Sequence, residues 1–230
     1  MSRLVLVISK SGTGKSSSLR NLKKGEASVV LCSGKELPFR SDISTMVPKT
    51  HLEVISAIER ANAPIVVIDD ANYLMSFEEM NRATEIGYVK FTQMATHMFD
   101  IFQAIIKKES DQTFYVMAHS AETEDGSIKF KTTGKMLSEK IVLEGLTNIL
   151  ITNEITSDGE FVFRVRTDGT GVKTPLGMFK EETVPNDLVI VDKAIKDFYG
   201  PVKKETKSWQ ILTTHTKQSR ANTSLRVYTR

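Results

Sequence analysis

One stretch constrains this chain more than any other: Ser9-Lys10-Ser11-Gly12-Thr13-Gly14-Lys15-Ser16. It follows a short, unbroken apolar run at residues 4–8, the mark of a strand buried on both faces. Residues 16–24 then read as a helix stopped by Gly25. A phosphate-binding loop needs this context of strand, glycine turn and helix, and follows the pattern Gly, any four residues, Gly-Lys-Ser/Thr. Every position agrees except the first, where Ser9 stands in place of glycine. Serine fits there if its backbone keeps an ordinary conformation.

The pattern has a chemical reason. Glycines at 12 and 14 let backbone N–H groups face phosphate oxygens with no Cβ in the way. Lys15 brings a cation to the β and γ phosphates, and the Ser16 hydroxyl is placed to ligate Mg²⁺. A helix opening at Ser16 adds its positive end to the same place. Ser11, Gly12, Thr13, Gly14, Lys15, Ser16 and Ser17 are therefore the candidate nucleotide contacts.

Two later strand ends supply candidate partners. Ile65-Val66-Val67-Ile68 is a fully apolar strand closed by Asp69-Asp70. Mg²⁺ prefers oxygen ligands and keeps several waters, so Asp69 joins Ser16 as the expected metal ligand. Asp70 is placed to orient or polarise a water. Residues 113–118 form another core strand ending at His119. That end faces the crevice where open α/β sheets bind ligands, which makes His119 a candidate γ-phosphate sensor. Lys15, Asp70 and His119 are the candidate catalytic residues.

The remaining pattern fills in an α/β architecture. Strands are expected at 28–32, 147–154 and 161–166, the last two forming a hairpin around Asp158-Gly159. Helices are expected at 51–62, through a long methionine-rich stretch from Phe77 to Ile106 interrupted at Gly87, and at 136–146. Asp125-Gly126 reads as a turn. Asn186 or Asp187 caps a last helix to Tyr199, ended by Gly200-Pro201. The expected fold is a mostly parallel central sheet with helices on both faces and an antiparallel C-terminal hairpin.

Charge divides the chain. Residues 201–230 hold seven Lys or Arg against one acid, a net +6 that leaves −3 for residues 1–200 out of a total of +3. This sets a domain at 1–200 apart from a basic tail at 201–230, which suits contact with a polyanion. No apolar run approaches the roughly 18–20 residues of a membrane span. Residues 4–8 run into Ser9 and Lys10 without a small-residue cleavage site, so a strand is expected there rather than a signal core. The single cysteine, Cys32, precludes an internal disulfide and fits a reducing compartment.

The Gly12-Thr13-Gly14-Lys15-Ser16 loop, the Val67-Ile68-Asp69-Asp70 strand end followed by Tyr73-Leu74-Met75, and the Ala118-His119 strand end occur in the order seen in RecA-like phage ATPases. Lys131-Thr132-Thr133-Gly134-Lys135-Met136-Leu137, Lys173-Thr174-Pro175-Leu176-Gly177-Met178-Phe179 and Pro185-Asn186-Asp187-Leu188 also resemble that group. The resemblance spans residues 3–200 and implies a RecA-like P-loop NTPase fold, with ATP and Mg²⁺ as cofactors. It further implies a role in phage DNA recombination or replication in the host cytoplasm. Single-stranded DNA, further copies of the chain and other phage recombination or replication proteins are the implied partners. Lys129, Lys131 and Lys135 are candidates for contact with DNA or a neighbour's phosphate. The chain departs from that family at Ser9. It also lacks the family's catalytic glutamate at the end of the strand after the P-loop helix, where only Glu36 stands nearby. Two other functions stay open at this point: a nucleotide-responsive partner-binding module with little hydrolysis, and a P-loop phosphotransferase for a small molecule.

Overall fold

The computed structural model describes residues 2–123, 126–167 and 169–200. The basic tail therefore lies outside the described residues, as does Asp125 of the expected turn, although Gly126 N–H donates to Thr123 O as a turn would. In chain order the elements are β1 (Arg3–Ser9), β2 (Ala27–Leu31), β3 (Ser44–Met46), α1 (His51–Arg60), β4 (Ile65–Asp69), α2 (Asn72–Asn81), α3 (Val89–Lys107), β5 (Thr113–Glu122), β6 (Ile128–Phe130), β7 (Ile149–Ile155), β8 (Phe161–Arg164), β9 (Thr183–Pro185) and α4 (Leu188–Tyr199).

Among the described residues the strands form one sheet in the order β3-β2-β4-β5-β1-β7-β8-β9, with β6 attached to β5. The pairs β3–β2, β2–β4, β4–β5, β5–β1 and β1–β7 are all parallel. Strand β8 pairs antiparallel with both β7 and β9, and β6 antiparallel with β5. The chain is thus α/β with a mostly parallel central sheet.

Alternation along the strands divides the core into two layers. Leu6, Ile8, Val66, Ile68, Phe114 and Val116 face α1, α2 and α3, meeting Val54, Ile58, Met75, Met98 and Phe102. Val5, Val7, Val67, Tyr115 and Met117 face the other way, toward Leu19, Leu22 and the Leu188, Val191 and Ile195 face of α4. Burial on both faces is why β1 and β4 read as unbroken apolar runs. Helix α1 starts where Thr50 accepts from Glu53 N–H and Glu53 reaches back to Lys49 N–H, close to a capping box. Gly87, at φ +99°, separates α2 from α3. Asp187 caps α4 by accepting from Val189 N–H.

Three expectations are corrected. Residues 16–24 do not form a helix: a single 3-10 turn at Ser16–Leu19 is followed by irregular backbone into β2. The serines there hydrogen-bond locally, Ser18 Oγ donating to Lys15 O at 2.6 Å, and such bonds compete with helix propagation. The loop therefore gains no long-helix dipole. Residues 136–146 split into a π-type turn at Met136–Ile141 and a 3-10 turn at Leu143–Leu146. The break is Val142, a β-branched residue at φ +53°. Finally, β5 continues past His119 to Glu122 because its end pairs with β6.

Candidate functional site

Parallel register brings the C-terminal strand ends together. Ser9 pairs with His119 across β1 and β5, and Leu31 with Asp69 across β2 and β4. The loop after β1, the Asp69-Asp70 end of β4 and His119 consequently share one rim of the sheet. A cleft of about 260 Å³ opens there, its floor formed by Gly12, Gly14, Lys15 and Ser16, its walls by Asp69, Asp70, His119, Lys35, Glu36 and Phe161.

The two loop glycines have different constraints. Gly12 and Gly14 both take left-handed backbone, at φ +79° and +93°. A Cβ at Gly12 meets nothing within 4 Å, whereas one at Gly14 falls 2.6 Å from Asn186 Nδ2 and 2.9 Å from the Phe161 ring. Ser9 ends β1 in ordinary strand backbone, so the missing glycine costs no strain. Its hydroxyl is used as well. Thr13 Oγ1 donates to Ser9 Oγ at 2.8 Å, and Ser9 Oγ lies 3.4 Å from both Asn153 Oδ1 and Lys15 Nζ.

Lys15 is buried and folds back over the loop, donating to Ser9 O at 3.1 Å and Lys10 O at 2.9 Å. Burial lowers its pKa, while Asp70 and then Asp69 oppose that shift. Ser16 Oγ donates to Asp69 Oδ2 at 2.7 Å. The other carboxylate oxygen, Asp69 Oδ1, is buried with no hydrogen-bond partner in the structure. Burial chiefly, and the Asp70 charge secondarily, push the Asp69 pKa up to about 6 against the Ser16 hydrogen bond, the Lys15 charge and a weaker pull from the Asp70 backbone N–H, which does not reach hydrogen-bonding geometry on Oδ1. A buried carboxylate with an orphan oxygen is unfavourable unless a cation meets it. Together with the Ser16 hydroxyl it makes an all-oxygen donor pair, suited to a hard divalent ion such as Mg²⁺.

Asp70 adopts left-handed backbone at φ +56°, which aspartate tolerates. The turn brings its Oδ1 to 3.4 Å from His119 Nε2. The other ring nitrogen, Nδ1, lies 3.5 Å from Lys15 Nζ. His119 is fixed from behind: its backbone N–H donates to Asn72 Oδ1 at 3.0 Å, and its ring meets Tyr73 edge-on at 5.7 Å. Burial first, then Lys15, lower its pKa, so its neutral form prevails at neutral pH.

No protein-family model matches the chain, and no curated protein matches it.

Of the residues expected at the site, Ser11, Gly12, Gly14, Lys15, Ser16, Ser17, Asp69, Asp70 and His119 line the one cleft. Thr13 does not. Its hydroxyl turns to Ser9 Oγ and Lys10 O, where it stiffens the loop. Lys131 approaches His119, lining a neighbouring hollow with Lys10, Ser11 and Tyr73. Lys135 instead pairs with Glu139 on the exposed surface, 3.6 Å apart. Glu36 lies at the cleft wall after all, exposed to solvent.

Sequence reasoning missed the braces on the loop. Asn186, taken as a possible helix cap, leaves that role to Asp187. Its Nδ2 donates to Gly14 O at 3.0 Å, and its Oδ1 accepts from Asn153 Nδ2 at 2.9 Å. Asn153 in turn reaches Ser9. A chain of buried amides thus ties both ends of the loop to β7 and the start of α4. Phe161 lends the cleft an apolar wall. Nothing in the local pattern around these residues marks them, since their partners are more than thirty positions away.

Proposed function

We propose that the chain is a P-loop NTPase of RecA-like fold that binds ATP with Mg²⁺ at this cleft and couples binding and hydrolysis to handling single-stranded DNA in phage recombination or replication. The observation that carries the nucleotide reading is the buried, unpartnered Asp69 Oδ1 beside Ser16 and Lys15. The parallel sheet supports it too, because such sheets bind ligands beyond the carboxyl ends of their strands. The DNA and phage parts rest on the family resemblance and on the basic tail, and the host cytoplasm follows from them. No helix among the described residues is long and apolar enough to cross a membrane.

The chain's own groups divide the work. Backbone N–H groups from Ser11 to Ser16 and the Lys15 ammonium cradle the β and γ phosphates. Ser16 and Asp69 would hold Mg²⁺, which would supply charge neutralisation on the phosphate oxygens. Asp70, oriented by His119, positions the attacking water and accepts hydrogen bonds from it. His119 also contacts Lys15, so a change in charge at the γ position reaches Asn72 and α2 through it. Lys131 and the neighbouring loop face DNA or a second copy. Phe161 offers an apolar face to the nucleoside.

The test is ATP hydrolysis by the full chain with and without single-stranded DNA, beside Lys15→Ala. DNA-stimulated turnover that vanishes in the variant supports the proposal. ATP binding without turnover under any condition argues for a nucleotide-responsive partner module instead. Turnover driven by a small acceptor and indifferent to DNA argues for a phosphotransferase. A chain truncated at Pro201 tests the tail, since loss of its cations should flatten the salt dependence of DNA binding.

A further inference from the structure

A second cluster of chemistry-bearing side chains lies on the helical face. His51 opens α1, Glu78 sits in α2 and His97 in α3. One ligand atom from each converges so that all lie within 4.8 Å of one another. The two imidazoles stack at 3.8 Å between centroids and 9° between planes. His97 Nδ1 is 2.9 Å from Glu78 Oε2. All three residues are half-buried and line a cavity of about 360 Å³ whose remaining wall includes Lys49, Met94 and Met98.

The arrangement has the supports a metal site needs. Arg82 holds Glu78 Oε1 at 2.8 Å, leaving Oε2 directed at the histidines. Arg82 is itself neutralised by Glu85 at 2.7 Å, so its charge does not simply oppose a cation. His97 Nδ1 and Glu78 Oε2 already lie close enough to share an ion at metal–ligand bonds of about 2.0–2.1 Å, whereas the His51 ring must turn out of the stack to aim a nitrogen lone pair at the same point. The cavity beside the cluster leaves room for a water or a small ligand as the fourth donor.

We propose that His51, Glu78 and His97 form a binding site for a zinc-class divalent cation that clamps α1, α2 and α3 together with one coordination position open. Two imidazoles and one carboxylate favour Zn²⁺ or its neighbours Co²⁺ and Ni²⁺ over Mg²⁺ or Ca²⁺, which prefer all-oxygen shells. The site is chemically separate from the Ser16–Asp69 oxygen pair and does not depend on the reading of the cleft.

The test titrates the full chain with Zn²⁺ alone by calorimetry, in excess Mg²⁺ so that the oxygen pair at Asp69 does not compete. Co²⁺ absorption is recorded in parallel as a probe of imidazole coordination. One equivalent is expected to bind and to raise the melting temperature. His51→Gln and His97→Gln should each weaken binding by at least about tenfold and remove the thermal shift. Far-UV dichroism establishes that both variants keep their helices, and Glu78→Gln serves as a third probe if either does not. Asp69→Asn should leave Zn²⁺ binding unchanged. Absence of Zn²⁺ binding overturns the proposal. So does binding that persists in all three cluster variants, which would move the site to His215 in the tail or to Asp69.

Discussion

Replacing Asp69 by asparagine separates the cost of this carboxylate from its use. Its pKa stands near 6 in the folded chain, against about 3.9 for a solvated aspartate, and two pKa units correspond to about 3 kcal/mol. Because the folded-state value is raised, the native state binds more protons between about pH 4 and pH 6, and stability falls as pH rises through that window. Above it the full penalty is present. Asparagine keeps the shape and its amide oxygen can accept from the Ser16 hydroxyl, but it gives up the attraction of Lys15. The ligand-free variant should therefore gain about 1–3 kcal/mol at neutral pH, or roughly 2–10 °C in melting temperature. Scanning calorimetry in a chelating buffer measures the shift, and it should shrink toward zero below about pH 4. Saturating Mg-ATP should reverse the order. Wild type gains about 2.7 kcal/mol at a hundredfold excess over Kd, and the variant gains far less. If Asp69→Asn melts at or below wild type without ligand at neutral pH, the carboxylate is not a strained charge waiting for a cation, and the metal assignment loses its physical basis.

Gly14→Ala should abolish nucleotide-dependent stabilisation and cost about 1–3 kcal/mol from overpacking alone, because its Cβ collides with Asn186 and Phe161. Gly12→Ala meets no atom there and should melt closer to wild type, so equal effects in thermal melts would contradict the geometry. Asn186→Ala strands a buried Asn153 amide and the Gly14 carbonyl; a loss of about 1–3 kcal/mol is expected in denaturant unfolding. His119→Gln should lower ATP turnover by about tenfold or more while changing nucleotide affinity little. A matching fall in affinity would make His119 a ground-state binding group rather than a positioning one.

Much of the cleft was legible because its chemistry is written in adjacent residues. Lys15 and Ser16 stand in a loop whose glycines must take left-handed backbone, and that requirement survives whatever surrounds it. The apolar runs of β1 and β4 likewise announce strands buried on both faces, with Asp69 at the end of one. The helix expected after the loop was not legible. Its serines bond to the local backbone, and the chain has only seven residues between Leu19 and β2 in which to turn.

What tertiary structure alone decided is which distant residues meet. Sheet order sets β5 between β1 and β4, and so puts His119 between Lys15 and Asp70. The antiparallel return through β8 and β9 delivers Phe161 and Asn186 against Gly14, although 172 residues separate that last pair. Packing of three helices over one face likewise gathers His51, Glu78 and His97, no two of which are closer than 19 positions in sequence. Local sequence fixes conformations over a few residues, where backbone sterics and short hydrogen bonds dominate. Contacts between such pieces depend on how the whole chain buries its apolar faces, and that is settled only when the sheet and its helices pack.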